Sequence, residues 1–178
     1  CRERGWKFID SPVSGGTVGA KRGTLTIMAA GEPDAIEDCR PICETIGKRY
    51  LVVGNEAGQG AMVKTINQLL CGVHLAAAGE AMAMARRAGL DLQAVWNVVN
   101  QSAAASWMLN DRGPRMVAED FDTPTSAIDI FVKDLGIVAD VARDLRFPAP
   151  LAAAALQSFL GVSGAGKGRK DDRSILDF

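Results

Sequence analysis

Histidine, cysteine and aromatic side chains are scarce in this chain of 178 residues, and each shortage narrows the possible chemistry. A zinc site needs about four ligands at a recognisable spacing. The chain offers one histidine, His74, and four cysteines, of which only Cys39 and Cys43 are close together. We therefore expect free thiols and no metal site. Aromatic residues make up 6% of the chain, whereas alanine and glycine are abundant, a mixture typical of closely packed helices.

Positive and negative charges are nearly balanced. The formal net charge is −1, so composition gives no reason to expect binding to nucleic acid or to an anionic membrane surface. The apolar stretch between Glu56 and Glu80 is long enough to raise the question of a membrane span. Lys64, His74 and two amides lie near its middle, which argues against that location. We expect a soluble, cytoplasmic protein without a signal peptide.

The first 54 residues alternate between short strands and one helix. Trp6–Asp10, Leu25–Ala30 and Arg49–Val53 predict strands, and Pro33–Ile46 predicts a helix with a proline at its first position. This order is typical of an α/β layer. Three strands are too few for a self-sufficient sheet of this kind. Because the chain also begins without a methionine, we expect further strands upstream, in a longer protein.

Helices dominate the chain after Gly60. The tail after the last helix should be flexible at first and end in apolar residues. Gly161 to Lys167 has the spacing of a phosphate-binding loop, but Gly168 stands where Ser or Thr would ligate magnesium, and the segment follows a helix instead of a strand. We therefore reject nucleotide binding there. The predicted helices are Ala61–Ala88 (ended by Gly89), Asp91–Gln101 (capped by Asp91), Trp107–Arg115 (bent or ended by Gly113-Pro114), Ala127–Leu145 and Leu151–Gly161.

Lys64 is the only charged side chain between Glu56 and Glu80. Asn67 and Gln68 follow it by three and four residues, so the three share one helical face. A cation beside two amides can hold an oxygen-rich substrate and polarise a carbonyl. The alternative is a lysine on a helix flank that extends its charge into solvent.

Two further segments carry candidate site residues. Ser14, Gly15 and Gly16 follow a predicted strand, and their backbone N–H groups and hydroxyl could hold a carboxylate. A tight glycine turn is the alternative, and the spacing is not that of a dinucleotide-binding loop. Lys133 and Asp134 interrupt an apolar helix, either as a solvated ion pair or as contacts for a nicotinamide or a substrate.

Three motifs in this order resemble the β-hydroxyacid dehydrogenase family, which includes 3-hydroxyisobutyrate dehydrogenase, tartronate semialdehyde reductase and L-threonate dehydrogenase. They are S-P-V-S-G-G at Ser11–Gly16, G-x-G-x-x-x-K-x-x-N at Gly58–Asn67, and F-V-K-D-L-G at Phe131–Gly136. The resemblance covers nearly the whole chain. It implies an α/β remnant followed by an all-α part. Residues 1–56 would be the last strands of a Rossmann-type NAD(P)-binding domain, and residues 57–178 a long helix and a helical substrate and dimerisation domain of the 6-phosphogluconate dehydrogenase-like type.

The resemblance also implies roles for single residues. Lys64 matches the catalytic lysine, and Ser14, Gly15 and Gly16 match the substrate-binding loop. Asn67 would orient Lys64 and the substrate hydroxyls.

Three other positions matched by the resemblance complete the expected site. Lys133 and Asp134 match a pair that borders the nicotinamide and the active site, with Lys133 on the cofactor side and Asp134 on the substrate side. Most members have asparagine where this chain has Gln68, so the longer amide should reposition the hydrogen bonds to the substrate.

The implied activity is NAD(P)-dependent oxidation of the hydroxyl of a small β-hydroxy acid. Lys64 would be the acid/base, with a pKa lowered by its apolar surroundings. Leu69–His74, Ser106–Met108 and Ser126–Gly136 look most like the L-threonate dehydrogenase branch, and tartronate semialdehyde reductase and 3-hydroxyisobutyrate dehydrogenase are the next choices. The chain alone should be inactive, because the main NAD or NADP loop is expected upstream.

Family members are usually dimers or tetramers that associate through the helical domain, so a non-catalytic dimerisation module is the competing interpretation. We expect His74 to be a packed or interface residue.

Overall fold

The computed structural model describes residues 1–119, 121 and 124–177 and divides into two compact units, Cys1–Asn67 and Gln68–Phe178. The division falls inside one long helix, which therefore contributes residues to both units. Unit 1 contains, besides a short 3-10 turn at Arg2–Arg4, the elements β1 (Ile9–Asp10), β2 (Val13–Ser14), α1 (Gly16–Arg22), β3 (Leu25–Gly31), α2 (Pro33–Ile46), β4 (Gly47–Gly54) and the start of α3 (Gln59–Arg87).

Unit 1 is built around a small mixed sheet with β3 at its centre. Strand β4 pairs with β3 in parallel, and β1 and β2 both pair with it antiparallel in one common register. Between β1 and β2, the amide of Met28 donates a hydrogen bond to the carbonyl of Pro12 at 2.9 Å, which continues the pairing with β3. Strands β1 and β2 are therefore two halves of one interrupted edge strand. Leu25, Ile27 and Cys43 form the buried core of the unit.

The strands and the helix predicted between residues 25 and 54 are confirmed. Helix α2 has the predicted bounds, and the two strands extend beyond theirs by one or two residues at one or both ends. The prediction at the N-terminal end is wrong in part, because only Ile9–Asp10 of Trp6–Asp10 is a strand and the side chain of Trp6 is exposed. Helix α1 was also missed, since its glycine-rich sequence has little helical propensity.

Unit 2 is helical, and all four helices predicted between residues 91 and 161 are present together with the long α3. Its core includes the stacked rings of Phe131 and Phe159, whose centroids are 5.0 Å apart. By length and composition α3 could cross a membrane, but 33% of its apolar window is buried, and Leu75 and Met82 belong to this core. The helices after α3 are α4 (Leu92–Val99), α5 (Trp107–Val117), α6 (Ile128–Asp144) and α7 (Pro150–Val162), followed by a π turn at Ser163–Lys167 and a 3-10 turn at Asp172–Asp177.

Two helix ends in unit 2 test the predicted cap at Asp91 and the predicted effect of Pro114. Asp91 caps α4 as predicted, since its carboxylate accepts a hydrogen bond from the Gln93 amide at 3.0 Å. Pro114, in contrast, does not end α5, which continues to Val117. His74 was predicted to be a packed or an interface residue, and its exposure on α3 leaves the interface alternative.

The C-terminal segment, which was predicted to end in apolar residues, is packed at that end. Ile175 and Leu176 are 1% and 0% exposed and join the core of unit 2. Asp172 is fully buried and accepts hydrogen bonds from the guanidinium of Arg112 at 3.0 Å from both Nε and Nη2. Burial raises the pKa of the Asp172 carboxyl to about 6, against the opposing effect of Arg112. Phe178 lies outside the described residues.

Candidate active site

Lys64 lies near the start of α3, in unit 1, and its side chain is half-buried. The first turn of this helix is held by a distant carboxylate. Asp10, which ends β1, accepts hydrogen bonds at one oxygen, Oδ2, from the amide of Gly58 at 2.9 Å and from the amide of Ala61 at 2.8 Å. Lys64 therefore projects from a helix whose beginning is attached to the sheet.

Each of the two glycines in the G-x-G motif is required for a different steric reason. Gly58 adopts φ +101°, a conformation that residues with a side chain rarely adopt. Gly60 is buried, and a Cβ there would lie 2.6 Å from the carbonyl oxygen of Met28 and 2.8 Å from that of Asp10. This pair of glycines lets the helix approach the sheet closely.

The segment Ser14–Gly16 connects β2 to α1 in the same unit. Gly15 and Gly16 both have positive φ, at 130° and 59°, and the carbonyl of Gly15 accepts a hydrogen bond from the Gly19 amide at 2.9 Å. The tight turn considered from the sequence is thus the entry to a two-turn helix. Asp10 comes directly before the Ser11–Gly16 motif, so one residue adjoins the loop and also holds the start of α3.

Gln68, Asp134 and Lys133 come together in unit 2. The side-chain amide of Gln68 donates to Asp134 Oδ2 at 2.5 Å, and the ammonium of Lys133 lies 2.7 Å from Asp134 Oδ1. Asp134 is 8% exposed, whereas the side chain of Lys133 is 66% exposed. The pair is therefore not simply solvated, because its carboxylate is buried and shared between a cation and an amide.

The predicted site residues are divided between the two units. Ser14, Gly15, Gly16, Lys64 and Asn67 belong to unit 1, and Gln68, Lys133 and Asp134 to unit 2. Within the described ranges, no group of three or more His, Cys, Asp or Glu side chains is arranged to hold a metal ion, and the four cysteines are free thiols.

Sequence reasoning missed Asp10 as a residue of this region. Its contact with Ala61 joins positions 51 residues apart, and no local pattern signals such a cap. The only available hint is an acidic residue at the end of a predicted strand, next to a motif already considered functional.

Two family models match the chain. Residues 58–178 match the model described as NAD-binding of NADP-dependent 3-hydroxyisobutyrate dehydrogenase. The chain belongs to the 3-hydroxyisobutyrate dehydrogenase family. Residues 1–54 match the NAD binding domain of 6-phosphogluconate dehydrogenase. The resemblance to β-hydroxyacid dehydrogenases and the expected order, an α/β part followed by a helical part, are confirmed.

Individual relatives of this 3-hydroxyisobutyrate dehydrogenase family member are longer than the chain. An L-threonate dehydrogenase of Escherichia coli is 48% identical over 172 residues, which are 97% of this chain and 57% of that protein. The crystal structure of a 3-hydroxyisobutyrate dehydrogenase from Salmonella typhimurium is 46% identical, with a TM-score of 0.90, and the match covers 96% of this chain and 60% of that one. A 3-hydroxyisobutyrate dehydrogenase of Mycobacterium tuberculosis with L-serine is 26% identical, with a TM-score of 0.85 and coverage of 95% and 60%.

Proposed function

We propose that this chain is the substrate-side portion of an NAD(P)-dependent dehydrogenase that oxidises the hydroxyl of a small β-hydroxy acid. The observation that carries the proposal is the position of Lys64. Its half-buried side chain projects from a helix whose first turn is held by Asp10, the residue directly before the Ser11–Gly16 motif. Family membership supports the same reaction class.

Lys64 is the acid/base of the proposed reaction. In its neutral form it accepts the proton of the substrate hydroxyl, and as an ammonium it stabilises the developing alkoxide. Asn67, three residues further along α3, orients Lys64 and the substrate hydroxyls. Ser14 and the Gly15 and Gly16 amides hold the substrate carboxylate.

NAD or NADP supplies the hydride acceptor. On this chain Lys133 is the residue proposed to contact the cofactor. Its exposed ammonium, anchored by the buried Asp134 carboxylate, fits the oxygen-rich edge of a nicotinamide nucleotide. Asp134 and Gln68 complete the substrate side. Residues 1–56 would then be the end of a Rossmann-type domain and residues 57–178 the helical substrate domain, in a cytoplasmic homodimer or tetramer.

L-threonate is the proposed substrate. A polyhydroxy acid suits the amide of Asn67 and the hydroxyl of Ser14, and a relative that is 48% identical carries the name L-threonate dehydrogenase. The second candidate, 3-hydroxyisobutyrate, is favoured by the name of the Salmonella structure at 46% identity. Tartronate semialdehyde reduction and a non-catalytic role in dimerisation compete with both. Assays of the complete enzyme with NAD+ or NADP+ against threonate, glycerate and 3-hydroxyisobutyrate separate these functions.

The direct test is Lys64→Ala in the complete enzyme. Loss of the acid/base should lower kcat by about 10²- to 10⁴-fold with only a modest loss of cofactor binding. Lys48→Ala, which removes an exposed lysine of β4, is the matched control and should leave kcat unchanged. Near-normal turnover in Lys64→Ala would reject the assignment.

A further inference from the structure

The Asp10 carboxylate joins the two segments of unit 1 that carry the proposed chemistry. We propose that Asp10 is a positioning residue for Lys64. Its carboxylate fixes the first turn of α3 to the strand that leads into the Ser14–Gly16 loop. The inference rests on the proposed function, because it assigns Asp10 a role in the reaction of Lys64.

The hydrogen bonds of Asp10 are those of a helix cap supplied from a distance. The first N–H groups of a helix have no partner within it, and a carboxylate near them is favourable. A cap usually comes from the residue immediately before the helix. Here Asp10 Oδ2 accepts from the amides of Gly58 and Ala61, at 2.9 and 2.8 Å. The cap therefore attaches α3 to β1 in addition to satisfying its N–H groups.

Close packing leaves the first turn of α3 little room to move relative to the sheet. The backbone at Gly60 lies so near the carbonyls of Met28 and Asp10 that it leaves no room for a methyl group. Lys64 follows Ala61 by three residues, which is about 4.5 Å along the helix. A shift or tilt of the first turn would therefore move the Lys64 ammonium relative to the Ser14–Gly16 loop. Misplacement of a reacting group by about 1 Å can cost about 10²-fold in rate.

A cap with no part in positioning would affect only stability, so variants can separate the two roles. Asp10→Ala removes the acceptor. Asp10→Asn keeps an oxygen at the same place, and asparagine caps helices about as well as aspartate. Asp91→Ala is the matched control, because it removes the cap of α4, whose bond to the Gln93 amide is 3.0 Å long, in the other unit.

Hydrogen exchange of the complete enzyme tests the attachment itself. In Asp10→Ala, amides 61–65 should exchange about 2- to 30-fold faster, the range that corresponds to the loss of a cap. Asp10→Asn should stay near wild type, and Asp91→Ala should accelerate exchange only in α4. Wild-type exchange at residues 61–65 in Asp10→Ala would overturn the inference.

Kinetics of the complete enzyme test the positioning. Asp10→Ala should lower kcat by about 10- to 100-fold while KM for the cofactor stays constant, and Asp10→Asn should restore most of the turnover. Should Asp10→Ala fail to fold, Asp10→Glu keeps the charge but displaces the carboxylate by one methylene, and its kcat should lie below that of Asp10→Asn. Asp91→Ala should match wild type.

Two results of these kinetics have different meanings. If Lys64→Ala loses turnover but neither Asp10→Ala nor, where it is needed, Asp10→Glu does, the positioning role is overturned and the proposed function stands. If Lys64→Ala keeps its turnover, the proposed function fails, and with it the catalytic meaning of Asp10.

Discussion

Gly60→Ala is the smallest change that should disturb the start of α3. The added Cβ would lie 2.6 Å from the carbonyl oxygen of Met28, 2.8 Å from that of Asp10 and 3.0 Å from the Asp10 carboxylate. Two of these atoms belong to the backbone of the sheet and cannot rotate away. The helix start must therefore move by roughly 0.5 Å or more to restore van der Waals contact.

The expected cost follows from two opposing contributions. Overpacking of a buried site typically costs about 1–3 kcal/mol. Alanine in a helix gains about 0.5–1 kcal/mol over glycine, which offsets only part of that cost. We therefore expect Gly60→Ala to destabilise unit 1 by about 1–2 kcal/mol and, in the complete enzyme, to lower kcat by up to about 10²-fold, because Lys64 moves with the helix.

Gly136→Ala is the matched stability control. Gly136 lies inside α6, and a Cβ there would meet no heavy atom within 4 Å. This variant should gain about 0.5–1 kcal/mol, or a Tm increase of about 1–4 °C for a chain of this size. Thermal unfolding compares the two variants, and hydrogen exchange at residues 61–65 reports on unit 1 directly, since the two units need not unfold together.

The comparison of the two variants tests whether the close approach of α3 to the sheet requires glycine at position 60. If Gly60→Ala is as stable as Gly136→Ala and its amides 61–65 exchange at the wild-type rate, the close approach of α3 to the sheet does not limit the structure. The steric explanation of the G-x-G motif would then be refuted.

Three further outcomes are expected in unit 2. Arg112→Met leaves the buried Asp172 without its bidentate partner and should cost about 3–5 kcal/mol in urea unfolding; a cost below about 1 kcal/mol would contradict the pairing. The folded-state pKa of Asp172, about 6, lies above its ordinary value of 3.8, so the destabilising effect of the charged carboxyl is fully present above pH 7 and is relieved as the pH falls through 6. Stability should therefore rise by about 1 kcal/mol from pH 7 to pH 5, and the part of the rise due to Asp172 should vanish in Asp172→Asn. Gly113→Ala would bring a methyl group into the indole of Trp96 and should destabilise the packing of α4 on α5 by about 1–3 kcal/mol, measured by thermal unfolding; unchanged stability would show that the indole moves freely.

Local signals predicted the elements that depend on neighbouring residues. Helix α2 begins where expected because Pro33 is well tolerated at the first position of a helix, although the helix also contains Pro41 in its interior. Asp91 was recognised as a cap because the amide it accepts from is two residues away. Lys64 stood out because a single cation in an apolar run is costly to bury unless it has a partner or a function.

Contacts between distant residues could not be predicted in the same way. Asp172 and Arg112 are 60 residues apart, and a segment with two acidic residues and an arginine is ordinarily exposed. Its burial depends on the pairing of these charges and on the apolar Ile175 and Leu176 beside them, which together offset the cost of removing charge from water. The sequence shows the charges but not their partners, so it does not predict that this segment is buried.

Gln68 shows that a proposed site residue can make a contact that the sequence does not predict. The sequence directed its amide to the substrate, whereas the amide nitrogen donates to Asp134, which lies 66 residues further along the chain. The same carboxylate holds the ammonium of Lys133. Since a carboxylate shared by two donors fixes both, a change at Gln68 should also alter the position of the Lys133 ammonium. The effect of this glutamine on the reaction is therefore expected to depend on the Gln68–Asp134–Lys133 hydrogen-bond chain as a unit, and not on the length of one side chain.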